Sequence, residues 1–532
     1  MPIPARTEWL TNFRGLNDAT IPGSQRRTSI AGGGISEEFS GLTQDLKNVK
    51  VRFGVVSGRG GLASYQTTSD SANTPIIGLA QYSRAQGASN ILVRMTPTKL
   101  EWLNGSTWTD ITGTALTGTS TTRPQFDTIQ DTLVFTNEGE DRPRKYTGSG
   151  NSAVLGGTPP FAKAIAAYVG YLVLGNVSDD GSFTDVLHGW RVIRWSSDFD
   201  NSWTICAGGQ IGSLNEIEIN DTAGDILAMH VLGRDLIIYK TDGIVKLTWV
   251  GGQLVFRKDK FPMNIGLAGP LAIASVGEAG HIFLGNDSII YLLTSNEIRP
   301  LSEAALSRTL PTTSTLARFK FARAFTLEDQ GLYVLLYDRT SLSGQLLDSY
   351  VTYNYRSGEF TKGELGASVI AGLGFRPTAG QNPIPLISTS ANVMEWDNFD
   401  NVLDVAASVD RYWTTGWQQF ADEEGYLHGV RAVFRKSKDA RVKISIATDL
   451  RDSYSQERSF TLQGSSSADD FVECEYKLPA PVFARWANVK VRQFHDAADA
   501  ETNLLRLGFI VQPLHPTAEA TSGTATALPR KN

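Results

Sequence analysis

Residues 226–258 decide the fold, because four short apolar segments follow one another there with tight turns between them. The stretch reads Ile226-Leu-Ala-Met-His-Val-Leu232, Gly233-Arg-Asp235, Leu236-Ile-Ile-Tyr-Lys240, Thr241-Asp-Gly243, Ile244-Val-Lys-Leu-Thr-Trp-Val250, Gly251-Gly-Gln253 and Leu254-Val-Phe-Arg-Lys258. Asp-Gly and Gly-Gly supply the positive φ that tight hairpin turns require, so neighbouring segments pair antiparallel. Four strands in about 33 residues, joined in this way, are typical of one blade of a β-propeller.

The same unit recurs on both sides of this stretch. Similar four-strand units begin at Ile77, Phe126, Ala164, Leu271, Phe321 and Val369. The seven starts are separated by 49, 38, 62, 45, 50 and 48 residues, and propeller repeats usually run roughly 40 to 50 residues. The longest interval contains an extra segment, Ser178 to Asn215. The spacing predicts an all-β chain with about seven blades; six or eight blades stay open, as do two stacked sandwiches of unrelated hairpins.

The ring of a propeller is usually closed by a strand that comes from outside the regular four-stranded repeats. An isolated blade leaves apolar surface in water on both faces, and a closed ring covers those faces and removes the free ends. Val49–Val56, just ahead of the first repeat, is predicted to be the closing strand.

The pattern changes after residue 400, where the strands become longer and alternate more regularly. Val442, Ile444 and Ile446 face one way, and Lys443 and Ser445 face the other. Strands of this kind, with one apolar and one polar face, are typical of a β-sandwich. The predicted domains are an N-terminal arm (1–42), a β-propeller (43–400), a β-sandwich (401–515) and a C-terminal tail (516–532).

Composition excludes several classes of protein. The 532 residues include 49 Lys and Arg against 55 Asp and Glu, a net charge of −6, which argues against a basic nucleic-acid-wrapping face. Cys206 and Cys474 are too few for a disulfide framework. The longest apolar run, Ala164 to Val177, is shorter than the roughly 18 residues that a membrane span requires. The sequence also begins without the apolar core of an export signal.

Motifs that carry chemistry are missing from the sequence. It has neither a Gly-x-Ser-x-Gly nucleophile elbow nor a Gly-Lys pair for a phosphate-binding loop. The six His are scattered, and His230 and His281 lie in apolar strands, which favours a structural role. Ser196 to Trp203 approaches the Asp-box turn of sialidase-like propellers, with Asp200 where Gly belongs. We therefore predict no enzyme, and no catalytic, metal or cofactor site.

The chain resembles the tail nozzle proteins (tail tubular protein B-like) of short-tailed bacteriophages. The likeness rests on segments that occur in the same order: Asn12-Phe-Arg-Gly-Leu16, Val51-Arg-Phe-Gly54, Lys99-Leu-Glu-Trp-Leu-Asn-Gly-Ser-Thr-Trp-Thr-Asp-Ile111, Asp131-Thr-Leu-Val-Phe-Thr-Asn137, Arg142-Pro-Arg-Lys-Tyr146, Arg194-Trp-Ser-Ser-Asp198 with Trp203, Leu236-Ile-Ile-Tyr239, Asp242-Gly-Ile-Val245, Gly266-Leu-Ala-Gly-Pro270, Ile282-Phe-Leu-Gly-Asn-Asp287 and Ile290-Tyr291. They are turn and strand signatures that span residues 10–400.

The resemblance implies a structural component of the virion tail that is assembled in the host cytoplasm. Such proteins form a homohexameric tube below the tail adaptor protein, anchor fibres or spikes, and surround the exit channel of the double-stranded DNA genome. Trp9, Leu10, Phe13 and Arg14 on the N-terminal arm are candidate assembly contacts, since exposed apolar residues on a polar arm usually need a partner. The alternative for these residues is that they cap their own subunit. The alternative function is a glycan-binding propeller lectin with stacking aromatics at Trp102, Trp108, Trp203, Trp396, Trp413 and Trp417, or else a polysaccharide depolymerase or sialidase.

Overall fold

A computed structural model of the chain describes residues 5–17, 43–65, 74–85, 90–157, 159–178, 186–196, 215–252, 255–303, 305–310, 319–339, 345–401, 403–404, 407–419, 425–436, 440–449, 454–455, 457–462, 470–494 and 501–513. The chain divides into two compact units. The sandwich unit is drawn from Met1–Gly15, Thr20–Gly58 and Asp410–Asn532, and the propeller unit from Leu16–Ala19 and Arg59–Val409. The described residues contain no α-helix and two 3₁₀ turns, Val186–Arg191 and Gly277–Ala279. No helix in this part of the chain is long and apolar enough to cross a membrane.

Four strands precede the propeller: β1 (Arg6–Leu10), β2 (Leu46–Lys47), β3 (Val49–Arg52) and β4 (Val55–Gly58). All four pair within the sandwich unit. β1 and β4 pair with the last strand of the chain, and β3 pairs with β4. The sandwich therefore includes residues that the sequence assigned to the N-terminal arm and to the start of the propeller.

Six antiparallel sheets of four strands follow in sequence order, and each is one blade. Blade 1 contains β6 (Gly78–Tyr82), β7 (Ile91–Met95), β8 (Leu100–Asn104) and β9 (Thr107–Asp110); blade 2 contains β10 (Gln125–Ile129), β11 (Thr132–Thr136), β12 (Arg144–Tyr146) and β13 (Ala153–Val154); blade 3 contains β14 (Phe161–Tyr168), β15 (Tyr171–Ser178), β16 (Val192–Trp195) and β17 (Glu216–Glu218). Blade 4 contains β18 (Ile226–Leu232), β19 (Asp235–Lys240), β20 (Gly243–Trp249) and β21 (Phe256–Lys260); blade 5 contains β22 (Ile273–Ser275), β23 (His281–Leu284), β24 (Ile290–Leu293) and β25 (Ile298–Pro300); blade 6 contains β26 (Arg323–Leu327), β27 (Leu332–Tyr337), β28 (Leu347–Asn354) and β29 (Glu359–Val369).

Blade 7 closes the ring with strands from both ends of the unit. Its strands are β30 (Ala371–Phe375), β31 (Ile384–Ser388), β32 (Val393–Asn398), β5 (Gly61–Ser64), β33 (Leu403–Asp404) and β34 (Ala407–Ser408). β32 pairs antiparallel with β5, which comes from the start of the propeller unit. Blade 7 also contacts blade 1, because the backbone amide of Arg376 donates to Oε1 of Gln81 over 2.8 Å.

The propeller is seven-bladed, and each blade begins within three residues of its predicted start. The prediction of the closing strand was wrong. Gly61–Ser64 closes the ring, and Val49–Val56 belongs to the sandwich, where Val49 and Val56 are buried. Both segments precede the first repeat and both are apolar, so periodicity could not distinguish them. The propeller accordingly starts at Arg59 rather than at residue 43.

Neighbouring blades pack face to face through apolar side chains. One core cluster joins blades 3 and 4 and includes Ile193, Trp195, Val245 and Phe256. The rings of Trp195 and Phe256 meet edge to face, with centroids 5.0 Å apart. Burial on both faces explains why strands such as β19 and β23 are almost continuously apolar.

The sandwich unit has two six-stranded sheets built from both ends of the chain. Its later strands are β35 (Arg411–Thr414), β36 (Gln418–Gln419), β37 (Gly425–Lys436), β38 (Ala440–Thr448), β39 (Arg458–Leu462), β40 (Asp470–Ala484), β41 (Trp486–Phe494) and β42 (Thr502–Pro513). The first sheet runs β3-β4-β42-β37-β40, with β1 on β42; the second runs β2-β35-β41-β38-β39, with β36 on β41. Val442, Ile444 and Ile446 are buried, as their alternation predicted.

Candidate functional site

The four predicted assembly residues divide into a buried and an exposed pair. Leu10 and Phe13 are buried in the core of the sandwich unit, and the Phe13 ring meets Trp413 edge to face with centroids 4.8 Å apart. These two residues therefore pack against their own chain, which is the alternative that the sequence left open. Trp9 is 37% exposed, and Arg14 is exposed.

Trp9 belongs to the outward face of the first sandwich sheet. Alternation along β1 turns Leu10 inward and Trp9 outward, and Trp9 pairs with Gly508 of β42. A Cβ atom at Gly508 would lie 2.9 Å from Cε3 of Trp9, so the indole lies against a position that has no side chain. The ring covers this glycine and leaves part of its own surface in solvent.

Three more aromatic residues extend from the same face. Tyr426 and Phe483 are cross-strand partners on β37 and β40, with ring centroids 5.6 Å apart, and they are 39% and 45% exposed. Phe471 pairs with Arg435 and is 69% exposed. Exposed aromatic side chains that share one sheet face are typical of surfaces that bind another protein. We call Trp9, Tyr426, Phe471 and Phe483 the outer aromatic face.

The aromatic residues considered for sugar stacking lie elsewhere. Trp396, Trp413 and Trp417 are buried, and Trp108 is half-buried beneath the guanidinium of Arg94, which lies 4.3 Å from its ring centroid. Trp203, Cys206 and most of the Asp-box segment lie outside the described residues. The three buried rings cannot stack on a sugar without unfolding their surroundings.

In the described part of the chain, no three His, Cys, Asp or Glu side chains converge to hold a metal. Cys474 is buried, and burial raises the pKa of its thiol to about 11. A thiol of this kind is a poor nucleophile at neutral pH.

His281 has the structural role that its apolar strand predicted. Its Nδ1 lies 2.9 Å from the hydroxyl of Tyr239, and its Nε2 lies 3.0 Å from the carbonyl oxygen of Val231. Nε2–H donates to the carbonyl, and Nδ1 accepts from the hydroxyl. These bonds connect blade 5 to blade 4, and burial lowers the pKa of His281 to about 4.

An axial cavity of about 390 Å³ lies where the first strands of the seven blades meet. Its walls present polar and apolar groups in similar measure, and the apolar ones include Leu79, Ile165, Met229, Leu271, Phe325 and Leu373. A second cavity of about 350 Å³ adjoins it, since Gln125 and Pro270 line both. Cavities of this size accommodate small molecules.

Three ionisable side chains reach the axial cavity. Asp127 accepts hydrogen bonds from the backbone amides of Thr128 and Ala167, each over 2.7 Å, and burial raises its pKa. His230 is kept neutral, because burial and the neighbouring His281 lower its pKa to about 3. Arg323 is 5% exposed, and its charge has no carboxylate partner among the described residues. Sequence reasoning missed this site, because its residues come from all seven repeats.

Comparison with known proteins supports no family assignment, since no protein-family model and no curated protein matches the chain. Solved structures with a similar fold include the Pan2 WD40 domain of Neurospora crassa, with a TM-score of 0.38, 8% identity, and coverage of 64% of this chain and 95% of that chain. The Cps50 (Swd1) β-propeller domain of Myceliophteria thermophila has a TM-score of 0.32 and 10% identity, over 54% of this chain and 82% of that chain. An exo-β-1,3-galactanase of Phanerochaete chrysosporium has a TM-score of 0.26 and 10% identity, over 84% of this chain and 99% of that chain. At these TM-scores the likenesses carry no argument about activity or partners, and the propeller assignment rests on the strand pairings.

Proposed function

We propose that this chain is a structural protein of the virion tail: the subunit of the distal tail tube, or nozzle, of a short-tailed bacteriophage. In this role it assembles as a homohexamer below the tail adaptor protein, anchors fibres or spikes, and surrounds the channel through which double-stranded DNA leaves. The proposal includes assembly in the host cytoplasm, and it includes no catalytic step.

The observation that carries the proposal is the outer aromatic face. Four exposed aromatic side chains on one sheet of the sandwich unit leave apolar area in water, and a second subunit would cover it. Arg431, which pairs with Gly508 next to Trp9 and lies 3.3 Å from a carboxylate oxygen of Glu475, adds polar groups beside the aromatic ones. Aromatic residues together with arginine are enriched at subunit interfaces.

Two further features agree with a conduit. The net charge of −6 disfavours tight DNA binding, because each lysine or arginine placed on a phosphate adds salt-dependent affinity. The motifs shared with tail nozzle proteins lie mainly in the propeller, and a closed ring of seven blades is a stiff building element.

The mass of the native assembly tests this proposal. The purified full chain is expected to form rings of six copies, measured by native mass spectrometry and seen by electron microscopy. Phe471→Ser and Phe483→Ser, separately or together, should shift the mass toward the monomer without unfolding the protein, whereas Val169→Ser, at an exposed apolar residue of the propeller, should leave rings intact. A monomer at high concentration that binds glycans on an array would contradict the proposal and favour a lectin.

A further inference from the structure

We propose that the axial cavity of the propeller binds a small organic anion, with the guanidinium of Arg323 holding its carboxylate or phosphate group. This inference goes beyond the tail-tube role, and it concerns the interior of one propeller unit rather than the assembly of subunits.

The hydrogen bonding of Arg323 is incomplete. Its Nη2 lies 3.5 Å from the carbonyl oxygen of Ile77, at the limit of a hydrogen bond, and its Nε is buried without a partner. In the described part of the chain, the bond to Ile77 is the one hydrogen bond that the guanidinium makes to a protein group. A guanidinium has five N–H donors, so most of its capacity is unused.

The charge of Arg323 is likewise uncompensated. Burial, together with repulsion from Arg123, lowers the pKa of Arg323 to about 9, so the group stays cationic at neutral pH. Asp127 lines the same cavity, but its carboxylate is already held by two backbone amides. Buried cations in proteins are normally paired, because removal of a charge from water is costly.

Arg123 adds positive potential without itself needing the anion. Its Nη1 donates to the carbonyl oxygens of Ser120 and Thr122 over 2.9 and 3.1 Å, and its guanidinium carbon lies 4.5 Å from the ring centroid of Phe321. It lines the adjoining cavity, beside Gln125. The two arginines repel each other, and an anion near Arg323 would reduce that repulsion.

The cavity walls determine the class of ligand. An inorganic ion would pair with Arg323 but leave the apolar part of the cavity wall uncovered, whereas an organic anion can place its body against Leu79, Met229 and Phe325. Arginine forms paired hydrogen bonds with carboxylate and phosphate oxygens. The ligand class is therefore a compact apolar molecule with one such group.

Calorimetric titration of the full chain with acetate, benzoate and inorganic phosphate, at an ionic strength kept constant with chloride, tests the proposal. Benzoate should bind saturably with one site per chain and more tightly than acetate. Arg323→Met should weaken binding by about tenfold or more, as expected for loss of a charged hydrogen-bond partner. Arg257→Gln, at an arginine with a largely exposed side chain, should leave binding unchanged. Phosphate that binds more tightly than benzoate, or no saturable binding by any of the three, would overturn the proposal.

Thermal unfolding gives a second readout that a purely structural arginine would not produce. In chloride alone, Arg323→Met should melt at or above the wild-type temperature, because the variant removes an unpaired buried charge. Benzoate should raise the melting temperature of the wild type and of Arg323→Lys, but not that of Arg323→Met. A variant that melts lower than the wild type by the same amount with and without benzoate would show that Arg323 serves only to bind Ile77.

Discussion

Arg59 and Asp404, 345 residues apart in sequence, form a buried ion pair where the chain enters and leaves the propeller. Nη1 of Arg59 lies 2.9 Å from Oδ1 of Asp404, and Nη2 lies 2.5 Å from Oδ2. Asp404 belongs to β33, which runs parallel to β5 at Leu62, and it also accepts a hydrogen bond from the backbone amide of Gly366. The pair therefore joins both ends of the unit at the sheet that closes the ring.

Asp404→Asn is expected to destabilise the propeller strongly. The substitution removes the carboxylate that forms both short contacts with the buried Arg59. Loss of one partner of a buried pair costs about 3–5 kcal/mol. Denaturant unfolding measures the change. Arg59→Met combined with Asp404→Leu should recover most of the loss, since an apolar pair replaces the ionic one. Unchanged stability in the single variant would show that the ion pair does not hold the ends together.

Gly61→Ala tests the closure of the ring by β5. A Cβ atom at Gly61 would lie 2.3 Å from the carbonyl oxygen of Leu403 and 2.5 Å from that of Asn401. Backbone atoms cannot yield as a flexible side chain does, so we expect a loss of about 1–3 kcal/mol or more in the free energy of unfolding. Gly105→Asn is the control, because nothing lies within 4 Å of a Cβ at that turn and Asn tolerates its positive φ. Equal stability of the two variants would contradict the described closure.

The stability of the propeller should fall as the pH falls below 6.5. The pKa of His281 drops from 6.5 in the unfolded chain to about 4 in the fold, so between these values the unfolded state binds a proton that the folded state does not. The stabilising contribution is complete above pH 6.5 and is lost toward pH 4, by up to about 1.4 kcal/mol per pH unit. His281→Gln should be less stable at pH 7.5 but show a shallower decline from pH 6.5 to 5. Parallel profiles for variant and wild type would refute this assignment.

Phe13→Ala and Trp9→Ala should separate folding of the sandwich from assembly. Phe13 is fully buried against Trp413, and truncation of a buried Phe costs about 3–5 kcal/mol. Trp9 is partly exposed, so its truncation should cost less stability but weaken the oligomer if the outer aromatic face is an interface. Chemical denaturation and sedimentation velocity measure the two effects. An oligomer that tolerates Trp9→Ala together with the Phe471 and Phe483 substitutions would assign the interface to another surface.

The sequence by itself predicted an all-β chain of about seven blades followed by a sandwich, and the strand pairings fixed the number at seven. Two-residue turns such as Gly233-Arg234 and Thr241-Asp242 fix short antiparallel connections, although only Gly233 of these has the expected positive φ. Burial on both faces forces runs such as Leu236–Tyr239 to be apolar. These requirements are local, because each depends only on residues within one repeat. The buried role of His281 could be predicted for the same reason.

Only the tertiary structure decided which residues from distant parts of the chain meet. The choice of Gly61–Ser64 over Val49–Val56 as closing strand depends on pairing with β32, more than 300 residues later. The burial of Leu10 and Phe13 depends on β42 and Trp413, and the cavity around Arg323 depends on seven inner strands brought to one axis. Hydrophobic periodicity records whether a strand is buried but not its partner, because apolar burial is non-directional, so partners are fixed only when the ring closes.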